Sequence, residues 1–255
     1  MSTENILKTG FMEFDEKIGL KAGHLILLGG RPSMGKTALA MTMVNNICKE
    51  MDGGCIYFSM EMYKERFVNR LLKMNCQIEN LDKVLTDEDW EKIGAASYKI
   101  SEYNLLLDDS IGNTVEDMVK KTRERAGKAK VSLIVFDYLE LMTGHGEVLK
   151  KEKAAEILRI LKKLAEELQC TVLVVSQLAR FESDRSDKRP TIDDFFSVDL
   201  EKAPVDEVLM LYRDEYYNED SDRKGIAELH SVKPETGEEY TVELSFIRQY
   251  AVFES

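Results

Sequence analysis

Residues 30–41 read GRPSMGKTALAM and follow the apolar run HLILLG at residues 24–29. The pattern Gly30-x4-Gly35-Lys36-Thr37, placed between a strand and a helix, is that of the phosphate-binding P-loop. Its glycines let main-chain N–H groups turn toward an anion, Lys36 adds a positive charge, and the helix dipole points its positive end at the same place. The alternative is an ordinary glycine-rich turn, but four fixed positions coincide by chance in about one such chain in a hundred. The stretch therefore predicts nucleotide binding.

The residues predicted to surround the nucleotide phosphates form one continuous segment. They are Gly30, Arg31, Pro32, Ser33, Met34, Gly35, Lys36, Thr37 and Ala38. Thr37 offers a hydroxyl at the first turn of the helix, which is where P-loop proteins place a ligand of Mg²⁺. We expect ATP and Mg²⁺ to be the cofactors.

Length and composition indicate a globular protein, and we predict one α/β domain over residues 1–255. Hydrophobic residues make up 44% and charged residues 32% of the chain, and no apolar run is long enough to cross a membrane. The first residues, MSTENILKTG, do not resemble a secretory signal, and the four cysteines form no C-x-x-C pair. We expect a cytoplasmic protein with reduced thiols, no zinc site and no membrane contact.

The formal net charge of −12 bears on the partners of the protein. Nonspecific affinity for nucleic acid comes largely from lysines and arginines that displace phosphate counterions. An acidic chain therefore needs a local basic patch, or several subunits that present loops to a shared channel. The basic stretch at residues 120–130 lies on a predicted helix, where a solvated face is the simpler interpretation.

Strands and helices are predicted to alternate along most of the chain. Apolar runs predict strands at residues 25–29, 55–59, 105–108, 131–137 and 171–177. Helical spacing and capping residues predict helices at about 37–49, 63–74, 86 onward, 114–127 and 152–168. This alternation predicts a mainly parallel sheet covered by helices. Runs at 207–212, 226–232 and 239–246 predict further strands with no helix between them, and we expect antiparallel strands to extend one edge.

Polar residues follow three of the predicted parallel strands, where the ligands of such sheets bind. Asp137 ends the run VSLIVFD and is predicted to hold Mg²⁺ together with Thr37. Glu61 follows CIYFSM and is a candidate general base for the attacking water. Gln177 ends TVLVVSQ, where its amide can contact the terminal phosphate. Each position also admits a plain alternative, a solvated side chain or a helix cap, and the histidines (24, 145 and 230) are expected to have no catalytic role.

These motifs resemble those of the RecA-like motor domain of DnaB-type replicative helicases. The matching stretches extend from about residue 8 to the C-terminus. They are KTGFMEFD from residue 8, GGRPSMGKTALAM from 29, YFSMEM from 57, LIVFDYLELM from 133, VVSQLAR from 174 and LYRDEYYNEDSDRKGIAE from 211. The resemblance implies a RecA-like P-loop NTPase with a mainly parallel twisted sheet, flanking helices and antiparallel C-terminal edge strands.

The resemblance also implies an activity and an assembly. The family is expected to hydrolyse ATP as a hexameric ring, with nucleotide between subunits and single-stranded DNA in the central channel. It implies Glu61 as catalytic base, Lys36 and Thr37 on phosphate and magnesium, Asp137 behind the metal, and Gln177 as the link from the phosphate to DNA-binding loops.

The sequence departs from the family pattern in three places. The motor begins almost at Met1, so we expect no amino-terminal primase-binding domain and no linker helix. Residues 196–199 read Phe-Ser-Val-Asp where the family carries Arg-Glu-Ser-Gly in a DNA loop. The family's Lys-x-Arg finger appears as Lys233-Pro234-Glu235, which leaves Lys233 as the cation that could reach a neighbouring nucleotide.

Two functions from different classes are therefore compatible with the sequence. One is an ATP-dependent helicase or translocase acting in DNA replication, with slow hydrolysis because an arginine finger contributes about 10³ to 10⁵ in rate. The other is a nucleotide-dependent assembly module that attaches to replication proteins, in which ATP controls the attachment. The retained catalytic residues favour the first function, whereas the acidic surface, Glu235 and the altered DNA loop favour the second.

Overall fold

A nine-stranded mixed sheet organises the computed structural model, which describes residues 6–50, 54–143, 148–179 and 185–255. The strands of this sheet are β3 (Leu25–Gly30), β4 (Gly54–Ser59), β5 (Leu105–Asp108), β6 (Val131–Asp137), β7 (Thr171–Gln177), β8 (Glu207–Tyr212), β9 (Ile226–Val232), β10 (Glu239–Ile247) and β11 (Val252–Glu254). They lie in the order β11-β10-β9-β8-β3-β7-β6-β4-β5. The six strands from β8 to β5 are mutually parallel, and β9, β10 and β11 pair antiparallel.

In the described part of the chain, six α-helices connect or flank these strands. They are α1 (Met12–Lys17), α2 (Lys36–Glu50), α3 (Lys64–Cys76), α4 (Asp87–Ser101), α5 (Val115–Ala126) and α6 (Lys151–Leu168). A small antiparallel pair, β1 (Ile6–Leu7) and β2 (Leu20–Lys21), lies beside the main sheet. Three short 3₁₀ helices span Leu139–Leu141, Ile192–Asp194 and Asp214–Tyr216.

The central strands are apolar on both faces because helices cover both. In β3, Ile26 and Leu28 belong to one core cluster with α2 and α3, while Leu25 and Leu27 belong to another with α5 and α6. Each fully buried side chain of this kind contributes about 1.5–3 kcal/mol. Two buried faces explain why the strand sequences are continuous apolar runs and do not alternate with polar residues.

Two helix starts confirm the capping residues read from the sequence. Thr86 accepts a hydrogen bond from the Asp89 N–H while the Asp89 carboxylate accepts one from the Thr86 N–H, and Thr114 and Asp117 form the same reciprocal pair. Such boxes satisfy N–H groups that a helix leaves unpaired. They fix the starts of α4 and α5 where the sequence places them.

The C-terminal part differs in detail from the predicted antiparallel extension. β8 is parallel to β3, so the antiparallel pairing begins only between β8 and β9. The tail was predicted to have no helical segment, which is wrong because Asp214–Tyr216 is a 3₁₀ helix. Four further elements, β1, β2, α1 and β11, were not predicted and are two to six residues long. Such short elements carry too few residues for a periodic signal.

Gly29 in β3 allows a close approach that no larger residue permits. A Cβ at this position would lie 2.3 Å from Phe195 Cζ, whereas a Cβ on Gly94, inside α4, would meet nothing within 4 Å. We expect Gly29→Ala to lower the free energy of unfolding by roughly 1–3 kcal/mol because the Phe195 ring must move. Gly94→Ala, the matched control, should raise it by about 0.5–1 kcal/mol because alanine favours helix. Urea denaturation of both variants measures the difference, and an equal effect would contradict the packing argument.

Candidate functional site

The carboxyl ends of four parallel strands meet at one cavity of about 490 Å³. The strand register brings Gly30 opposite Gln177, Val175 opposite Asp137, and Asp137 opposite Ser59. Residues of the P-loop, of the strand ends and of the C-terminal strands line the cavity: Pro32, Ser33, Gly35, Lys36, Thr37, Ala38, Glu61, Arg70, Asp137, Tyr138, Val175, Gln177, Phe246 and Ala251. All four predicted catalytic residues are therefore in one place.

Six of the nine predicted phosphate-binding residues line this cavity, and three do not. The Gly30 carbonyl accepts a hydrogen bond from Lys36 Nζ. The Arg31 side chain turns away and donates to the Lys188 carbonyl at 2.8 Å and to Asp194 Oδ2 at 3.1 Å. Met34 is buried in the core. Phosphate contact by all nine residues stays a prediction, and for Arg31 it would involve the main chain.

The loop takes backbone conformations suited to a cradle. Ser33 and Gly35 have φ values of 64° and 103°, in the left-handed region. A Cβ on Gly35 would lie 3.1 Å from Phe253 Cζ, so glycine is favoured here by conformation and by space. α2 begins at Lys36, immediately after the turn. The positive end of its dipole therefore faces the cavity.

Lys36 places a desolvated ammonium group at the start of α2. Its Nζ donates to the carbonyls of Gly30 at 2.6 Å and Arg31 at 3.1 Å. Burial lowers the pKa of Lys36, and the carboxylates of Asp137, Glu140 and Glu61 oppose that shift. An ammonium with only neutral hydrogen-bond partners and nearby acids is suited to receive an anion.

Asp137 is only 5% exposed at the end of β6. Tyr57 Oη donates to its Oδ2 at 2.7 Å, and the Thr37 hydroxyl lies near enough to lower its pKa. Burial raises the pKa of Asp137 and the nearby Glu61 adds to the shift, whereas the two hydroxyls and the Lys36 charge oppose it.

The donors around Asp137 fit Mg²⁺. A carboxylate and an adjacent threonine hydroxyl are oxygen donors, and Mg²⁺ takes few protein ligands when phosphate oxygens and water complete its shell. Within the described ranges no group of three or more His, Cys, Asp or Glu side chains could hold a metal by itself. The four cysteines are free, and three of them are buried.

Glu61 and Gln177 approach the cavity from the two strands that flank β6. A hydrogen bond from the Met60 N–H to the Asp137 carbonyl, 2.9 Å, and one from Ser59 Oγ to the Met62 carbonyl, 2.5 Å, hold the turn that carries Glu61. Glu61 is exposed and Gln177 is half-buried. The two side chains line the same cavity, with Asp137 between their strands.

Several residues of the site were not predicted from the sequence. Tyr57 lies within an apolar strand, Arg70 lies on α3, and Phe246 reaches the cavity from the antiparallel strands. Only Tyr57 carried a signal, because a hydroxyl in a fully buried run needs a partner. The others depend on how α3 and β10 pack, which spacing along the chain does not reveal.

Lys233 and two of the histidines, His24 and His230, lie apart from the cavity lining. Lys233 follows β9, pairs with Glu238 and lies 5.9 Å from the centre of the Tyr240 ring. His24 and His230 are not among the lining residues, and His145 is outside the described residues. No helix in the described part of the chain is long and apolar enough to span a membrane.

The chain is similar to a family of helicase domains. Residues 7–255 match the family described as DnaB-like helicase C terminal domain. The replicative DNA helicase DnaB of Geobacillus stearothermophilus is 36% identical over 253 residues, and the replicative DNA helicase DnaC of Bacillus subtilis (strain 168) is 35% identical. Both matches cover 97% of this chain and 56% of the relative, so the chain spans little more than half the length of these relatives.

Two solved structures have the same fold. One, described as an ATPase domain, superposes with a TM-score of 0.88 at 31% identity, and the match covers 100% of this chain and 93% of that one. The other, a DnaB-like replicative helicase described together with its interactions with primase, superposes with a TM-score of 0.88 at 32% identity. This second match covers 97% of this chain and 61% of that one, and the RecA-like α/β fold is confirmed.

The buried acid gives a prediction about pH. Because the pKa of Asp137 is raised above the usual value of 3.8, the folded protein holds this proton more tightly than the unfolded chain. The contribution of the group to stability therefore falls as pH rises through that window. We expect Asp137→Asn to raise the free energy of unfolding without Mg²⁺ at neutral pH, with a difference from the wild type that vanishes toward pH 3. The exposed Asp222→Asn should show no such trend, and parallel pH profiles for all three proteins would contradict the assignment.

Proposed function

The chain belongs to the family of DnaB-like helicase C-terminal domains, and on this premise we propose that it is an ATP-dependent helicase motor acting in DNA replication. The relatives that carry this activity in their names are about twice as long as the match. Helicase activity is therefore a proposal for this chain. The observation that carries the proposal is the single cavity that joins Lys36, Glu61 and Asp137. Free thiols at all four cysteines support a place in the cytoplasm.

The P-loop is proposed to hold the ATP phosphates. Main-chain N–H groups from Ser33 to Thr37 and the start of α2 surround the phosphate position, and Lys36 exchanges neutral carbonyl partners for charged oxygens. Thr37 and Asp137 are proposed to hold Mg²⁺. When bound, the ion would neutralise negative charge on the phosphate.

Hydrolysis is assigned to two side chains that flank this position. Glu61 orients the attacking water and takes its proton, as an exposed carboxylate at the cavity wall can do. Gln177 contacts the terminal phosphate from the opposite strand. Its main-chain N–H donates a hydrogen bond to Glu140 Oε1 at 3.2 Å.

Assembly and DNA binding follow from family membership, and we propose a hexameric ring with single-stranded DNA in its channel. The net charge of −12 means that the DNA contacts must be local. Phe196, at the position of the family's loop arginine, is 51% exposed. An aromatic side chain can stack on bases but supplies no charge, so we expect weak DNA affinity.

A second function, a nucleotide-dependent assembly module for replication proteins, is favoured by the altered finger. Lys233 is paired with Glu238 in its own hairpin, and Glu235 carries the wrong sign to stabilise a phosphate. Phosphate release measured against protein concentration and single-stranded DNA separates the two. A ring motor should release more phosphate per chain as both increase, and a flat response would contradict it.

Two substitutions separate nucleotide binding from chemistry. We expect Glu61→Gln to bind ATP normally and to release phosphate about 10²–10⁴-fold more slowly, because only the general base is lost. Lys36→Ala should instead weaken nucleotide binding by about tenfold or more, because a charge-assisted contact is lost. Binding of a fluorescent nucleotide and phosphate release measure the two effects. Glu65→Gln, an exposed acid on α3, is the control, and an equal loss there would contradict the role of Glu61.

The missing finger gives a gain-of-function test. We expect Glu235→Arg to increase phosphate release by up to about 10³-fold under conditions in which the chain assembles, because an arginine then reaches the developing phosphate charge. Glu239→Arg, the same charge change at the start of β10, should not increase it. Dilution should abolish the gain, and an increase that persists in monomers would contradict a contact between subunits.

A further inference from the structure

Glu140 joins two segments that the catalytic assignments leave unconnected. It lies in the 3₁₀ helix Leu139–Leu141, three residues after Asp137. One oxygen, Oε1, accepts hydrogen bonds from Ser176 Oγ at 2.6 Å and from the Gln177 N–H at 3.2 Å. The same oxygen accepts a hydrogen bond from Ser197 Oγ at 2.9 Å. Ser176 and Gln177 end β7, whereas Ser197 belongs to the connection between β7 and β8.

The second carboxylate oxygen of Glu140, Oε2, makes no hydrogen bond within the described part of the chain that would stabilise the fold. Glu140 Oε2 is buried and has no hydrogen-bond partner among the described residues. A buried charged acceptor without a partner lowers stability, so a carboxylate is a poor choice for simple anchoring. Oε2 supplies a free acceptor to which a serine hydroxyl can transfer when the strand end moves. Both serine hydroxyls must donate to the ionised group, because it is an acceptor only.

Glu140 contacts Ser197 in the connection between β7 and β8, and within residues 195–198 of that connection one exposed residue lies between buried ones. Phe195, Ser197 and Val198 are buried, while Phe196 between them is 51% exposed. Phe196 lines a second cavity of about 530 Å³, together with Glu140 and Gln177. Gln177, at the end of β7, thus lines both cavities, as does Tyr138.

We propose that Glu140 is a positioning residue that carries a movement of Gln177, caused by bound triphosphate, to Ser197. Ser197 in turn sets the position of the exposed Phe196 beside it. Glu140 also lies close enough to Lys36 to act on its charge, so the carboxylate senses the phosphate position electrostatically as well. This inference rests on the proposed nucleotide site.

A tryptophan at the exposed position reports the movement. The chain has one tryptophan, Trp90 on α4, so Phe196→Trp in a Trp90→Phe background gives a single emitter next to Ser197. The measurement is the difference in emission between Mg-ADP and Mg-ATPγS, which differ in the terminal phosphate. Binding of both nucleotides is measured separately with fluorescent analogues.

Two serine variants form a matched pair, since Ser176 and Ser197 are both buried and both donate to Glu140 Oε1. We expect Ser197→Ala to reduce the emission difference about tenfold, because one charge-assisted hydrogen bond contributes roughly that factor to a coupled equilibrium. Glu140→Ala should do the same, and Glu140→Gln should restore part of it because the amide oxygen still accepts. Ser176→Ala should retain the difference, because its hydroxyl lies on the same strand as Gln177.

The outcomes distinguish this inference from the proposed function. If neither nucleotide binds, the proposed site is wrong. If both bind and the reporter shows no difference in the parent, or if Ser197→Ala and Glu140→Ala keep the full difference, the positioning role of Glu140 is wrong. Equal losses in Ser176→Ala and Ser197→Ala would also overturn it, because they would indicate loosened packing and not a link between segments.

Discussion

The phosphate cavity depends on a carboxylate that the fold removes from water. Asp137 ends β6, which lies between β4 and β7, so its side chain cannot reach the solvent at an edge of the sheet. Burial raises the pKa of Asp137 and lowers the pKa of Lys36, so each group is held against its preferred charge and is supported by the other. Two buried groups of opposite sign, with hydroxyl and carbonyl partners, form a site whose charges are best compensated by a bound ion and anion. Burial of Asp137 and Lys36 lowers the stability of the fold without a ligand, and the same burial favours the binding of charged ligands.

Much of this arrangement was predictable because, in a parallel sheet, the residues that follow each strand lie at the same edge. Apolar runs gave the strands, and a polar residue directly after each run had to lie at the carboxyl edge, which is why Glu61, Asp137 and Gln177 meet. Glu140 was not predictable, because it does not follow a strand directly and its partners lie 36 to 57 residues away. Phe246 enters the cavity because β10 pairs with β11, which packs against α2, and such packing gives no periodic signal in the sequence. The sequence therefore predicts which residues lie at the ends of strands, but it does not predict contacts between the segments that connect the strands.

The family motifs divide into those that build the fold and those that face a ligand. In KTGFMEFD, Asp15 accepts hydrogen bonds from the N–H and hydroxyl of Thr9, which fixes the entry into α1. Arg189 pairs with Glu228 and lies over the Tyr212 ring, so it supports the antiparallel strands. These contacts lie within one chain. The departures concern surfaces that would face another subunit or DNA, and a domain can lose those without losing its fold or its cavity.

Two links reach the connection between β7 and β8 from the site, one from Arg31 and one from Glu140, and they attach three residues apart, at Asp194 and Ser197. Arg31 ties its main-chain carbonyl to Lys36 and its side chain to Asp194, so one residue serves the ammonium group and the segment together. Glu140 ties Ser197 to the end of β7. With Asp194 and Ser197 both held, Phe196 is the residue between the two attachments with freedom to turn toward solvent. On the proposed function, a change at the terminal phosphate is expected to appear at this side chain, because Phe195 is buried against Gly29 and restrains its own part of the segment.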